Sequence, residues 1–284
     1  MQSPPLISVV VTTYNRSSAL AQVLRGLKQQ RDQNFETIIA DDGSGQEHVA
    51  HLRSVARKLE FPVVHVWHPD VGFTASRVRN RGVGVSTGRY IILLDGDCVP
   101  EVDFIEQHRR LMEVGFFVNG SRVLLSQRLT TKAIDEQERL HDRSAGFWAM
   151  QRLSGHVSKL SHLVRLPDWQ MRKQSSFQWK GIRSCNMGVW REQYLAVNGF
   201  DESFVGWGHE DADFVLRLHN LGAARKNGFC ATEVLHLWHP EAARTHTNIN
   251  RDRVLARVKT GAILPETGFT DSTSPDEVRV ERLP

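Results

Sequence analysis

The sequence predicts an α/β fold with a mostly parallel central sheet, and three observations carry that prediction. Short β-branched apolar runs alternate with helix-length segments through the first third of the chain, the pattern of crossover units. The runs are nearly continuous in apolar residues, as in strands buried on both faces. Three of the four runs stop at polar residues: Thr12 to Asn15, Asp41-Asp42, and Asp95 to Asp97. Open α/β sheets bind their ligands at the carboxyl ends of strands, so these three stops are read together.

Ile7 to Val11 is the first strand. After Thr12-Thr13-Tyr14-Asn15, Ser17 is placed to cap a helix carrying Leu20, Val23, Leu24 and Leu27. Phe35 to Ala40 is the second strand, and Asp41-Asp42-Gly43-Ser44-Gly45 is a loop by composition. A helix to Leu59 and a strand from Pro62 to Trp67 follow; Gly72 then opens another helical segment, and Tyr90 to Leu94 is the fourth strand. The second half is less regular. Met150, Leu153, Val157, Leu160 and Val164 step by three and four, which predicts an amphipathic helix with a core-facing or membrane-facing apolar side. A dense Gly- and Trp-bearing stretch runs from Ser184 to Leu221, and a His-rich segment from His236 to His246. Past Gly261 the chain turns polar and is expected to form a poorly ordered tail. The expected divisions are a nucleotide-binding half over 1–120, a second half over 121–260 and a tail over 261–284.

A chain of 284 residues buries one large core, with or without an appended part. No run approaches the roughly 18 apolar residues that cross a bilayer. Met1-Gln2-Ser3-Pro4-Pro5 lacks the features of a secretory signal, which makes the cytoplasm the expected location. Cys98, Cys185 and Cys230 are odd in number and widely spaced, so buried free thiols are expected. The pI is near 9.1, yet no motif supports nucleic-acid binding. Between Arg143 and Arg183 stand eight Lys/Arg and one acidic residue, Asp168. That stretch is either a solvated basic face or the mark of an anionic partner, such as the inner membrane surface or an acidic glycan.

Asp95-Gly96-Asp97 follows Tyr90-Ile91-Ile92-Leu93-Leu94 directly, and two carboxylates there can hold a divalent cation against a diphosphate. Such a triplet arises roughly once by chance in a chain this long, and Asp211-Ala212-Asp213 is a second one; only the first stands at a strand end. Asp41 and Asp42 offer acceptors for a base or ribose, or simply form a turn. Arg79 is suited to a diphosphate and Asn80 to a sugar hydroxyl. In Trp207-Gly208-His209-Glu210-Asp211 the Trp offers a platform for a sugar ring. The paired carboxylates there offer a base, or a cap for the helix from Ala212 to Asn220. His239 or His236 can complete a metal's ligands, with His239 preferred.

Together these segments resemble the GT-A glycosyltransferases of family 2, with a C-terminal part similar to β-1,4-galactosyltransferases and chondroitin-type polymerases. The resemblance runs from Ile7 to about Asn248. It rests on Val9 to Asn15, Asp41-Asp42-Gly43-Ser44, Arg79-Asn80-Arg81-Gly82, Leu94 to Asp97, Asn198-Gly199-Phe200-Asp201-Glu202 and Trp207 to Asp211, in family-like order. It implies a GT-A fold: a Rossmann-like nucleotide-binding half fused to an acceptor-binding half. It implies a metal-dependent, inverting hexosyltransferase using Mn2+ or Mg2+ and a UDP-sugar, acting on a saccharide or lipid-linked saccharide. Thr13, Tyr14 and Asp42 then contact the uridine, with Thr12, Asn15 and Asp41 beside them. Asp97 and Asp95 are the metal and diphosphate site, with Gly96 between them and His239 as third ligand. Asp211 is the base, Glu210 its acceptor-positioning neighbour, and Trp207 with Gly208 the acceptor platform. His209 departs from the family's usual glycine and leaves acceptor identity open. The rival expectation is a non-catalytic nucleotide-sugar or glycan-binding protein.

Overall fold

Val9, Val10, Val11, Ile38, Ile39 and Ala40 expose none of their surface, so the first two strands have no solvent-facing side. Each such side chain contributes about 1.5–3 kcal/mol on burial, which fixes these strands at the centre of a sheet covered on both faces. The computed structural model describes residues 3–179, 181–204, 206–240, 247–271 and 277–284.

The chain begins β1 (Ile7–Thr13), α1 (Ser17–Lys28), β2 (Phe35–Asp41), α2 (Gln46–Leu59), β3 (Val63–Trp67), α3 (Ala75–Val85) and β4 (Tyr90–Asp95). It continues through β5 (Cys98–Pro100), α4 (Phe104–Leu111), β6 (Phe116–Asn119), β7 (Ser121–Leu124), α5 (Gln127–Asp135) and α6 (Ala145–Leu153). Then come β8 (Lys173–Gln174), β9 (Asn186–Trp190), α7 (Arg191–Ala196), α8 (Glu210–Asn220) and β10 (Ala224–Asn227). The last elements are β11 (Glu233–His236), α9 (Thr247–Thr260) and β12 (Arg279–Leu283).

The large sheet has the order β12-β3-β2-β1-β4-β9-β6-β10-β8. Its nucleotide-side block, β3-β2-β1-β4, is parallel, and β9 runs antiparallel to β4. The register sets Thr13 opposite Asp41 and Thr12 opposite Asp95, so the three polar stops share one edge. A second sheet, β5-β11-β7, pairs Cys98 with His236. That pairing carries a distant histidine to the residue after Asp97.

Three expectations change. The predicted helix over 150–164 ends at Leu153, because Ser154 and Gly155 (φ 73°) close it. Its stripe splits: Val157 is buried, but Met150 and Leu153 are 65% and 90% exposed. The tail is ordered where described, since β12 pairs antiparallel with β3 and the Phe269 ring packs edge-on against Tyr194. The helix expected behind Gly72 starts at Ala75.

The basic stretch is partly neutralised from within. Arg143 pairs with Glu138 at 2.7 Å, Lys159 with Glu233 at 3.2 Å, Arg165 with Asp103 at 2.6 Å and Lys173 with Glu113 at 2.7 Å. Arg172 is buried and donates to the carbonyls of Pro167, Leu166, Asn227 and Phe229. These acidic partners lie outside the stretch, so four of its eight basic residues are paired within the fold. Lys180 and residues 241–246, which hold the end of the His-rich segment, lie outside the described residues. Among the described residues no helix is long and apolar enough to cross a membrane.

Candidate functional site

Asp97 leaves the sheet edge just beyond β4, and its backbone carbonyl accepts from Leu237 N at 2.9 Å. This bond and the β5–β11 pairing aim two histidines at its carboxylate. His239 Nε2 lies 3.4 Å from Oδ2, and His236 Nε2 lies 3.6 Å from Oδ1. His239 Nδ1 sits 2.7 Å from the carbonyl of Pro240; in the tautomer protonated at Nδ1, the Nε2 lone pair faces Asp97. A carboxylate with a neutral imidazole suits a divalent ion. The donor set therefore fits the metal that the sequence implies. Asp97, Cys98 and His236 also bring ligand atoms within 4.8 Å of one another, and burial lowers the His236 pKa, favouring its neutral form.

Asp95 is held from two sides. Thr12 Oγ1 donates to its Oδ1 at 2.9 Å and Arg79 Nη2 to the same atom at 3.4 Å. Gly96 N donates to the Thr12 carbonyl at 2.7 Å. The triplet is thus fastened to the end of β1. Arg16, which the sequence reading passed over, donates from Nη1 to Asp97 Oδ2 at 2.6 Å and from Nη2 to the Trp238 carbonyl at 3.3 Å. Its position directly after Asn15 was legible, but its direction was not.

The two aspartates ending β2 divide their work. Asp41 points inward: Ser44 N donates to its Oδ1 at 2.8 Å, and His65 Nε2 lies 3.0 Å from Oδ2. It is 1% exposed and shapes the turn, the second of the two readings that the sequence leaves open for it. Asp42 accepts from Thr74 N at 2.9 Å and from Thr74 Oγ1, with His68 Nε2 3.1 Å from Oδ1. It keeps acceptor capacity on Oδ2. Tyr14 is half-exposed and donates to Asp70 Oδ2 at 2.7 Å. Gly43 (φ 95°) permits this closure, since a Cβ there would stand 2.5 Å from the Asp70 backbone. Asn15 latches the two loops together, accepting from Gly45 N at 2.8 Å while its own N–H donates to Ser44 Oγ at 2.8 Å. Thr13, nearly buried, receives Asp42 N on its carbonyl.

Arg79 spans the cleft. Besides Asp95 it reaches Glu210 Oε1 at 3.3 Å, and its guanidinium lies 5.3 Å over the Phe200 ring. Burial works against its charge, but Asp95, Glu210 and Asp211 outweigh it and raise its pKa. Its guanidinium thus links the carboxylate that ends β4 to the one that opens α8. Asn80 has no capacity left for a sugar. Its Nδ2 donates to Phe200 O and Glu202 Oε1, both at 2.9 Å, and its Oδ1 accepts from Tyr194 Oη at 2.6 Å and Phe200 N at 2.9 Å. The expected sugar contact is therefore replaced by a clamp between α3 and the Phe200 turn. Asn80→Ala is expected to cost about 2–4 kcal/mol in urea unfolding, because it strands several buried partners, with nucleotide affinity within about twofold of wild type.

Glu210 and Asp211 open α8, where the helix dipole favours anions. Asp211 Oδ1 accepts from Ala212 N at 2.8 Å. Burial and then the neighbouring Glu210 raise its pKa to about 7, against the pull of Arg79 and the backbone N–H groups of Ala212 and Ser184. A carboxylate poised there can take a proton near neutral pH. Arg79→Met removes the opposing pull, so the acidic limb of the pH–rate profile should move upward from about 7. An unmoved or lowered limb would contradict this coupling.

The loop before Glu210 and Asp211 bends sharply, with Gly206, Gly208 and His209 at φ 75°, 109° and 69°. Asn250 Nδ2 holds the Gly208 carbonyl at 3.0 Å. Trp207 is 41% exposed. The His209 ring lies 5.7 Å from that of Trp179, a partner not legible from sequence. Asp213, of the second D-x-D triplet, is fully buried and bonded to Arg217 and Arg257; it is structural.

The fold and this edge of carboxylates define a nucleotide-sugar transferase architecture, and comparison with known proteins agrees. Residues 8–164 match glycosyl transferase family 2, and residues 169–239 match the N-terminal domain of galactosyltransferase. The chain belongs to glycosyl transferase family 2. It is 25% identical over 227 residues to validoxylamine A glucosyltransferase of Streptomyces hygroscopicus, covering 77% of this chain and 52% of that protein. It is 24% identical over 232 residues to chondroitin synthase of Escherichia coli, covering 76% and 32%. The chain thus spans about half or less of these relatives. In fold it is similar to a mannosyltransferase from Pyrobaculum calidifontis solved with GDP-Man and Mn2+, with a TM-score of 0.57 and 16% identity. That match covers 96% of this chain and 67% of the other. The likeness supports a GT-A-like architecture.

Proposed function

We propose that this chain is a metal-dependent, inverting glycosyltransferase that moves a hexose or N-acetylhexosamine from a UDP-sugar to a saccharide or lipid-linked saccharide. One observation carries the reading. Arg79 touches Asp95 at 3.4 Å and Glu210 at 3.3 Å, so the diphosphate end and the base end of the cleft are one guanidinium apart. A donor and an acceptor bound at the two ends would meet between them.

Asp97 with His239 would hold Mn2+ or Mg2+, with Asp95 beside them; the ion would supply positive charge to the diphosphate. Tyr14 and Asp42 would receive the base and ribose. Trp207 would carry the acceptor sugar, and Glu210 would orient its hydroxyl. Asp211 takes the hydroxyl proton as the oxygen attacks the anomeric carbon. The bond to the diphosphate breaks on the opposite face, so an α-linked donor gives a β-linked product. Because the base must be ionised, transfer should rise with pH through about 7.

The test is transfer from a panel of UDP-sugars, with GDP-sugars beside them, onto saccharide acceptors, the anomeric configuration being read by NMR. A β-linked product from an α-linked donor supports the reading. Retention of configuration would rule out the single displacement. Metal-dependent binding of donor without transfer to any acceptor would favour a binding protein instead.

A further inference from the structure

Arg16 stands where a bystander would not be expected. Asn15 precedes it at φ 48°, an uncommon conformation for a residue other than glycine. The bonds to Ser44 and Gly45 keep Asn15 there, and the bend sends Arg16 across to β4's edge. Its Nη1 takes Asp97 Oδ2 at 2.6 Å, and that same oxygen lies 3.4 Å from His239 Nε2. Arg16 therefore occupies, with its own positive charge, the carboxylate oxygen that faces His239.

We infer that Arg16 and the divalent cation compete for Asp97, and that Arg16, once released, binds the donor diphosphate. The inference rests on the metal-dependent reading given above. Two cations drawn to one carboxylate oxygen repel, so metal binding displaces the guanidinium. The side chain is 35% exposed and has room to swing. Its residue caps α1, a helix of 12 residues whose first turn has no acidic residue and no side-chain cap. A freed guanidinium, at the N-terminus of a helix whose first turn carries no acidic residue, can pair with the donor diphosphate. Arg16 thus opposes the metal in the free protein and supports it once nucleotide is bound. Binding is then cooperative: each of metal and nucleotide prepares the site for the other.

The test compares wild type with Arg16→Met and Arg16→Lys, checking first that each melts cooperatively. Free Mn2+ is followed by electron paramagnetic resonance, and UDP, with GDP beside it, is titrated calorimetrically with and without saturating Mn2+. Arg16→Met should bind Mn2+ alone roughly five- to tenfold more tightly and, when Mn2+-saturated, bind nucleotide roughly tenfold more weakly. Arg16→Lys should fall between it and wild type. Weaker binding of Mn2+ alone by Arg16→Met would make Arg16 a support for Asp97 and overturn the inference, as would no change in either affinity. Wild-type protein that binds no Mn2+, alone or with nucleotide, would instead overturn the metal reading beneath it.

Discussion

Asp211→Asn should lower kcat by about a thousandfold while leaving metal-dependent donor binding within about twofold of wild type. The amide keeps the side chain's size and its acceptance from Ala212 N, but it cannot take a proton. Stability should move the other way. Because the folded-state pKa lies near 7, above the ordinary 3.8, the folded protein binds this proton more tightly than the unfolded chain. Stability from this group is therefore full at low pH and declines as pH rises toward about 7. At pH 8 the Asn variant, spared an ionised carboxylate beside Glu210, should melt about 2 °C or more above wild type. Near-normal kcat with a lowered melting temperature would make Asp211 a structural cap. Activity retained in Asp211→Asn and lost in Glu210→Gln would move the base by one residue.

Asp97→Ala should abolish metal-dependent nucleotide binding and reduce transfer by about a thousandfold or more. Both histidines face this one carboxylate, and Arg16 is bonded to it. Removing it leaves His236 and His239 with no anionic partner between them. Asp95→Ala should be milder, because Asp95 is already bonded to Thr12 and Arg79. His239→Ala should weaken Mn2+ binding more than His236→Ala, since His239 Nε2 lies nearer the Asp97 carboxylate, at 3.4 Å against 3.6 Å. Equal loss at Asp95 and Asp97, measured as Mn2+ affinity, would contradict this ranking.

The strand ends were legible because burial on both faces writes a continuous apolar run, and polar residues at its end can only be loop or ligand site. The division of labour within Asp41-Asp42 was not. It depends on His65 arriving on β3, beside β2, to occupy Asp41. The Asn80 side chain looked free in sequence because its partners Tyr194, Phe200 and Glu202 lie far along the chain. The pairing of the basic stretch was hidden for a related reason: local counting misses acidic partners brought from Asp103, Glu113 and Glu233. The step of three and four from Met150 predicted a helix, but periodicity carries no warning of the break at Gly155. The tail's composition read as disorder, whereas pairing against the exposed edge of β3 orders Arg279–Leu283. Sequence pattern reported what each segment is; long-range partners decided what each side chain can do.

The central claim is that Asp97 and its histidines form a cation site serving a nucleotide diphosphate. Isothermal titration of UDP-sugars, with GDP-sugars as comparison, in the presence and absence of Mn2+ tests it most directly. At least one UDP-sugar should bind with Mn2+ and lose about a hundredfold or more in affinity without it, and Asp97→Ala should lose that metal dependence. Binding that is indifferent to Mn2+, or no binding of any nucleotide-sugar, would contradict it.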